Sequence, residues 1–304
     1  MSELQQSFYL HATERNQIWR ILLGMLLIFI VYFALIFGMT SLLVYKGIDL
    51  YEIMLSRSPQ GLAVMLLSFF PVWVGVAIVN RFLHRRRLQA LYGPSYQINW
   101  FHFLKAAGFV ITVILTVEVI TQLYLFLSGQ DIYRRHMIDN LSLWCLWALP
   151  MLAFLMIQIG AEEILFRGYL LQTISARGGN FIWAAFLPSV IFGCLHFDYA
   201  TFGANAFAYV ASTAVFGMIL CAVTLRLGNI GAAFGLHFFN NLAALFIYGL
   251  DDELGALTLF HLDLDPQSPL VGGAMVLQTI IASIAFFIWR RRFKMQSPDV
   301  TLEK

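Results

Sequence analysis

Long runs of apolar residues alternate with short polar segments along most of this chain. A run of about 20 apolar residues is long enough to cross a bilayer as a helix. Runs of this kind cover residues 17–44, 61–80, 100–127, 142–163, 181–199, 206–226, 229–250 and 270–289. No segment shows the period-two alternation of a membrane β-strand. The pattern therefore predicts an all-α polytopic membrane protein, built as a bundle of about eight transmembrane helices.

The polar segments between these runs divide the chain without creating any long hydrophilic region. We expect both ends to be loose tails on the cytoplasmic side and the longest loop to lie outside the membrane. In chain order, the parts are the N-terminal tail (1–16), the N-terminal transmembrane helices (17–140), a core that carries the polar motifs (141–250), an outer loop with the last transmembrane helix (251–294), and the C-terminal tail (295–304).

Composition and charge agree with a membrane location. Hydrophobic residues make up 60% of the chain and charged residues only 12%, whereas a soluble domain is about 25% charged. Basic residues cluster after the second and eighth runs, which places both clusters and both termini in the cytoplasm under the positive-inside rule. Each cluster adjoins an apolar run, so we expect the lipid bilayer as its partner and no nucleic acid. The clusters are Arg81, Arg85, Arg86 and Arg87, and Arg290, Arg291, Arg292 and Lys294.

Polar side chains interrupt three of the predicted helices. Each charged side chain at a bilayer centre costs about 2.5–3.5 kcal/mol, so such residues need partners or a function. A helical rise of 1.5 Å per residue puts Glu162, His196, Asn241 and His237 roughly 22, 24, 18 and 12 Å from the cytoplasmic ends of their helices. These overlapping depths predict that the side chains meet in an intramembrane polar cavity.

Helical spacing suggests how these residues divide their roles. Glu163 and Arg167 are four residues apart and can form a structural pair on one helix face, which leaves Glu162 as a general base. His237 and Asn241 also share a face, as two hydrogen-bond donors of an oxyanion hole would. Asn240 is an alternative to Asn241, because spacing alone does not distinguish the two.

Three motifs in this region resemble those of the CAAX protease and bacteriocin-processing family of intramembrane endopeptidases. They follow one another in the family's order, and the match covers roughly 145–250. Residues 141–250 would then form a CAAX-protease-like catalytic core. The motifs are EExxxR in Glu162-Glu163-Ile-Leu-Phe-Arg167, FxxxH in Phe192-Gly-Cys-Leu-His196, and HxxxN in His237-Phe-Phe-Asn-Asn241.

The resemblance implies an intramembrane endopeptidase that hydrolyses peptide bonds of membrane-associated proteins or peptides. Carried over by motif, Glu162 and His196 would activate the attacking water, and His237 and Asn241 would stabilise the oxyanion. Glu163 and Arg167 would support the site. We expect the protein to lie in the bacterial cytoplasmic membrane.

Three alternatives stay open at this point. The family has been described both as metalloproteases and as glutamate proteases, and Glu162, His196 and His237 are possible zinc ligands. We favour a metal-free mechanism with no cofactor, because no HExxH pairing is present. Some members of the family look like immunity or regulatory proteins, so a non-proteolytic scaffold is a second alternative. A proton-coupled transporter that uses Glu118, Glu162 and His196 is a third, although no inverted repeat supports it.

Overall fold

Apolar helices dominate the computed structural model, which describes residues 3–54, 56, 58–129, 133–134, 141–178, 181–250, 255–262 and 264–292. The α-helices are α1 (Glu3–Tyr9), α2 (Ile18–Tyr45), α3 (Leu50–Met54), α4 (Pro59–Leu67), α5 (Phe70–Ile78), α6 (Trp100–Ser128), α7 (Leu141–Glu163), α8 (Leu171–Ser175), α9 (Phe181–Cys194), α10 (Tyr199–Phe202), α11 (Asn205–Leu227), α12 (Gly231–Phe246) and α13 (Pro269–Arg292). Two π-helical turns, Val79–Leu83 and Ile164–Leu170, extend α5 and α7. Short 3-10 turns occupy Leu10–Ala12, Leu88–Tyr92 and Gly255–Leu257.

Within the described residues, six helical segments are long and apolar enough to cross a membrane. This finding confirms the all-α polytopic membrane fold. The six segments are Ile18–Tyr45, Pro59–Leu83, Trp100–Ser128, Trp144–Ser175, Asn205–Leu227 and Pro269–Arg291.

Two of the eight predicted helices, the fifth and the seventh, are shorter than the apolar runs that predicted them. Helix α9 has 14 residues and α12 has 16, which is shorter than the predicted 181–199 and 229–250. Helix α9 stops because the chain turns before Asp198, whose carboxylate caps the separate helix α10. Helix α12 stops because the chain becomes extended at Tyr248. The two short helices are those that carry or lead to the histidine motifs.

Close backbone approach holds α12 at the centre of the bundle, in contact with α6, α7 and α11. Gly235 of α12 lies directly against the Phe103 carbonyl of α6, where no side chain would fit. Phe234 and Phe238 pack around Phe103 from the same helix, with ring centroids 5.3 and 5.5 Å from its ring. This seam fixes the rotation of α12 and therefore the direction of its polar face.

An asparagine side chain joins the start of α12 to the start of α6. The Asn229 Oδ1 accepts hydrogen bonds from the backbone N–H groups of Gly231, at 2.8 Å, and Asn99, at 3.0 Å. Its Nδ2 donates to the Gln97 carbonyl at 2.8 Å. The side chain therefore binds the first residue of α12 and ties this end of the helix to the start of α6.

The N-terminal segment is not the loose tail that the sequence predicted. Phe8 is fully buried, because α1 packs against α8 and α11. The Asn16 side chain donates to the Ala176 carbonyl at 2.7 Å, and Arg177 donates to the Asn16 carbonyl at 3.0 Å. These contacts join the segment to the residues that follow α8. The predicted C-terminal tail, 295–304, lies outside the described residues.

Three short strands form a small sheet that the sequence did not predict. They are β1 (Tyr133–Arg134), β2 (Tyr248–Leu250) and β3 (Phe260–Leu262). The strand order is β1-β3-β2, with β1 antiparallel and β2 parallel to β3. Since β2 begins one residue after α12, the sheet restrains the far end of that helix. Most acidic residues of the predicted outer loop lie outside the described residues, namely Asp251, Asp252, Glu253 and Asp263.

Candidate active site

The first motif lies where α7 changes into a π-helical turn. Glu162 and Glu163 are the last two residues of α7, and Arg167 lies inside the adjoining π-turn, Ile164–Leu170. All three charged side chains are buried. π-Helical turns are rare in proteins overall, and those that occur often lie at functional sites. Gly168 allows the turn to approach the neighbouring loop, because an added Cβ would lie 2.9 Å from the Leu91 Cβ.

The structure brings Glu163 and Arg167 together, as their spacing predicts. The Arg167 Nη1 donates to the Glu163 Oε1 at 2.7 Å, and both side chains are almost completely shielded from solvent. The guanidinium also lies over the Phe192 ring of α9, 4.8 Å from its centroid. A cation over an aromatic face is stabilised by the ring quadrupole. Arg167 therefore neutralises a buried acid and joins α7 to α9.

His237 contacts both glutamates, which corrects the expected division of roles. Its Nδ1 lies 2.8 Å from the Glu163 Oε1, and its Nε2 lies 3.4 Å from the Glu162 Oε2. Spacing along α7 assigned Glu163 to Arg167 alone and left Glu162 without a partner. The sequence could not predict this contact, because it depends on how α12 is rotated against α7. The result is a buried cluster of two acids, one arginine and one histidine.

Gln158 is a member of the cluster that the sequence analysis missed. It lies one turn before Glu162 on the same face of α7, and its Nε2 donates to the Glu162 Oε1 at 2.9 Å. The side chain is buried. The signal in the sequence was a glutamine four residues from a glutamate inside an apolar helix, a spacing at which side chains meet.

His196 lies in a turn just beyond the end of α9, not within a helix. Its Nδ1 is 2.8 Å from the Phe192 carbonyl oxygen. A carbonyl only accepts, so Nδ1 carries the proton and Nε2 keeps a lone pair in the neutral ring. The Phe192 ring contacts both histidines, with centroids 4.7 Å from His196 and 5.6 Å from His237. In the described part of the chain, His196 forms no hydrogen bond with Glu162 or His237.

The two asparagines of the third motif form a chain that ends on α13. The Asn240 Nδ2 donates to the Asn241 Oδ1 at 3.3 Å, and the Gln278 Nε2 donates to the Asn240 Oδ1 at 3.5 Å. Both asparagines are half-buried. Asn240 therefore uses both its oxygen and its nitrogen in this chain, whereas Asn241 takes part through its oxygen.

Glu162, His196 and His237, which were possible zinc ligands, are not grouped as a metal site in the part of the chain that the structure describes. Among the described residues, no group of three or more His, Cys, Asp and Glu side chains could hold a metal ion. The Nδ1 atoms of His196 and His237 are engaged by Phe192 and Glu163. Bonds of this kind leave the Nε2 atoms able to bind a metal, so it is the placement of Glu162, His196 and His237 among the described residues that does not form a zinc site, and no chemical step is assigned to zinc.

Glu118 does not join this cluster. Its carboxylate accepts from Gln122 at 2.9 Å on α6, while Arg167 is paired with Glu163. The predicted polar residues of α7 and α12 meet, His196 lies beside them across Phe192, and Glu118 has separate contacts. The cavity itself stays a prediction.

Two comparisons with known proteins agree with the motifs. Residues 143–243 match the family model described as type II CAAX prenyl endopeptidase Rce1-like, which confirms the resemblance over this part of the chain. The chain is also 27% identical over 247 residues to the uncharacterized protein YyaK of Bacillus subtilis strain 168. That alignment covers 78% of this chain and 80% of the relative, so the similarity extends well beyond the motifs.

Proposed function

We propose that this protein is an intramembrane endopeptidase that cuts membrane-associated proteins or peptides. The observation that carries the proposal is the contact of His237 with both Glu162 and Glu163, at 3.4 and 2.8 Å, inside the segment that matches the family. Burying two carboxylates and an imidazole between two apolar helices costs folding free energy, and ionisable groups at such places usually mark functional sites. Their arrangement suits water activation and charge stabilisation.

The proposed reaction assigns the proton transfers to Glu162. Its carboxylate takes a proton from water, with His196 supporting this step from the neighbouring turn, while the water oxygen bonds to the substrate carbonyl carbon. The C=O electron pair moves to the oxygen and creates a tetrahedral oxyanion. Glu162 then returns the proton to the amide nitrogen as the C–N bond breaks. The products are a carboxylic acid and an amine, so one water is consumed for each bond cut.

The oxyanion would be stabilised by His237 and Asn241. His237 donates Nδ1–H to Glu163, so its Nε2 can donate only when the ring is protonated. Glu163 and Arg167 then act as the support that holds the ring in place, as an acid orients histidine in other hydrolases. Asn241 supplies the second donor through its amide.

The membrane arrangement is part of the proposal. The basic clusters after Pro59–Leu83 and within the end of α13 favour cytoplasmic termini. Residues 141–250 would be the catalytic core, and the lipid bilayer would surround it. The relative in Bacillus subtilis supports the bacterial cytoplasmic membrane as the location. The substrate would enter from the bilayer as a membrane-associated segment.

A comparison of membrane peptides tests the function directly. Cells that produce the wild-type protein should contain cleaved membrane peptides that are missing from cells with Glu162→Ala at equal abundance. The matched control is Glu118→Ala, which removes a carboxylate from α6 outside the cluster and should leave the peptides unchanged. If cells with the wild-type protein and cells with Glu162→Ala contain the same peptides, the proposed protease function is wrong and the non-proteolytic scaffold is favoured.

A further inference from the structure

We infer that Gln158 completes the site of the attacking water, by fixing the Glu162 carboxylate and accepting one proton of that water. The identity of the water rests on the proposed function. The hydrogen bond from Gln158 to Glu162 does not depend on it. Gln158 lies outside all three sequence motifs. It adds a side chain from the preceding turn of α7 to the site.

Two buried oxygen atoms without hydrogen bonds carry the inference. They are the Gln158 Oε1 and the Glu162 Oε2, on side chains that are 7% and 8% exposed. The partner atoms of the same groups, Gln158 Nε2 and Glu162 Oε1, are bonded to each other at 2.9 Å. Both remaining oxygens are acceptors. A buried acceptor without a donor costs about 1–3 kcal/mol, so each one requires an O–H or N–H group.

One water molecule supplies what both oxygens need. It has two O–H groups, and a buried water makes about three hydrogen bonds. One proton would go to the Glu162 Oε2 and the other to the Gln158 Oε1. The third contact is available from His237, whose Nε2 lies 3.4 Å from the same Glu162 oxygen. The lone pair of a water held in this way remains free to attack a carbonyl carbon.

The alternative is that Gln158 only fills space in the core. Its neighbours on α7, Leu155 and Ile159, are completely buried. A methionine of similar length would pack among them without bringing a polar amide into an apolar interior. A glutamine at this place therefore indicates a polar role. The Gln122–Glu118 pair of α6 has the same four-residue separation and the same 2.9 Å bond, which provides a matched control outside the site.

The hold on Glu162 can be measured without any substrate. Infrared difference spectra of the purified protein, with Glu162→Gln as the reference, identify the C=O band of protonated Glu162 and its pH midpoint. Gln158→Met removes a donor to the ionised carboxylate, so the midpoint should rise by about one to two pH units. Gln158→Glu keeps the size but adds a like charge, so the rise should be larger. Gln122→Met should not move the midpoint.

Steady-state kinetics test whether Gln158 binds the attacking water. The substrate is a peptide that the wild-type protein cleaves and Glu162→Ala does not. Gln158→Met should lower kcat about 10–100-fold with KM unchanged, and the acid limb of the pH profile should move upward. A raised KM with normal kcat would mean that Gln158 contacts the substrate and would overturn the water site. If Gln158→Met changes neither the pH midpoint of Glu162 nor the kinetic constants, Gln158 only fills space in the core and the inference is wrong. If Gln158→Met shifts the pH midpoint of Glu162 but the wild-type protein cleaves no peptide, the hydrogen bond from Gln158 to Glu162 would be supported. Only the proposed function would then be contradicted.

Discussion

Glu163 serves two partners from a single oxygen. Its Oε1 accepts from the Arg167 Nη1 at 2.7 Å and lies 2.8 Å from the His237 Nδ1. The side chain is completely buried, so these two groups replace the water that would otherwise solvate the carboxylate. Removing either one leaves charge in an apolar interior, where it is poorly compensated. At this scale, the support of the site and the stability of the fold depend on the same atoms.

Arg167→Ala should therefore destabilise the protein. The loss of one partner of a buried ion pair costs about 3–5 kcal/mol, and we expect a lower membrane abundance and a lower Tm in detergent. Arg81→Ala is the matched control, because Arg81 is an exposed arginine of the other π-turn. Normal abundance combined with lost cleavage would contradict this account and assign Arg167 to the chemistry.

His84 makes the stability of the protein depend on pH. Burial, and then the nearby Arg86, lower the pKa of His84 from 6.5 to about 4. The neutral ring donates from Nδ1 to the Arg15 carbonyl at 2.9 Å and accepts at Nε2 from the Tyr169 hydroxyl at 3.0 Å. Since the unfolded chain binds the proton more readily, stability falls as the pH drops from 6.5 toward 4.

The size of this effect is up to about 3 kcal/mol. Thermal unfolding of the purified protein should show a Tm that decreases between pH 7 and pH 4.5. The decrease should be smaller in His84→Gln, which has no group that titrates in this window. Equal decreases in the two proteins would show that other groups cause the acid sensitivity.

Single residues were predictable where the helix repeat alone sets the contact. Glu163 and Arg167 meet because they are one turn apart on one helix. The contact of His237 with the two glutamates joins α12 to α7, and its geometry depends on the π-turn and on the seam at Gly235. The apolar pattern contains neither feature. The contact of Gln158 with Glu162 was missed because glutamine carries no charge, although its four-residue spacing from Glu162 is one at which side chains meet.

At the level of helices, Gly235 decides how closely α12 approaches α6. An added Cβ would meet the Phe103 carbonyl and lie 2.8 Å from the Ala106 Cβ. Gly235→Ala should push the helices apart and cost about 1–3 kcal/mol. In Gly108→Ala, also on α6, the added Cβ meets nothing within 4 Å. The control should be neutral or more stable, because alanine has the higher helix propensity. Equal Tm values for the two variants would contradict the importance of the close contact between α12 and α6 at Gly235.

The long helices were predictable because each one needs an apolar surface against lipid. The ends of α9 and α12 were not, because their neighbours in sequence are also apolar. Phe197 and Ile247 continue the hydrophobic pattern past Cys194 and Phe246, where these helices end. Helix α9 ends in a turn that leads to the Asp198 cap, and α12 ends just before β2 pairs with β3. Both endings depend on contacts that the apolar pattern does not encode.

For the whole molecule, orientation in the membrane is the main open prediction, and it rests on the basic clusters. In a variant without the three native cysteines, Gln89→Cys should react with a membrane-impermeant reagent only after the cells are opened. Lys46→Cys, at the end of α2, should react in intact cells. Both positions are exposed. Labelling of residue 89 from outside would reverse the orientation and the depths assigned to the motifs.

The membrane class of the whole chain was predictable from composition, because so few charged residues are present. The packed N-terminal helix was not, since it has only 7 residues and its contacts are distant in sequence. Phe8 is buried against the bundle although its segment is polar overall. The small sheet was missed for the same reason, as each strand has two or three residues.

The central claim is that Glu162 activates water for peptide hydrolysis. The most direct measurement is the turnover of a membrane peptide by purified wild-type protein, Glu162→Gln and Glu118→Gln. Glu162→Gln keeps the shape and the contact with Gln158 but removes the base, so turnover should fall about 10²–10⁴-fold at normal stability. Glu118→Gln should match the wild type. Full turnover by Glu162→Gln would contradict the account.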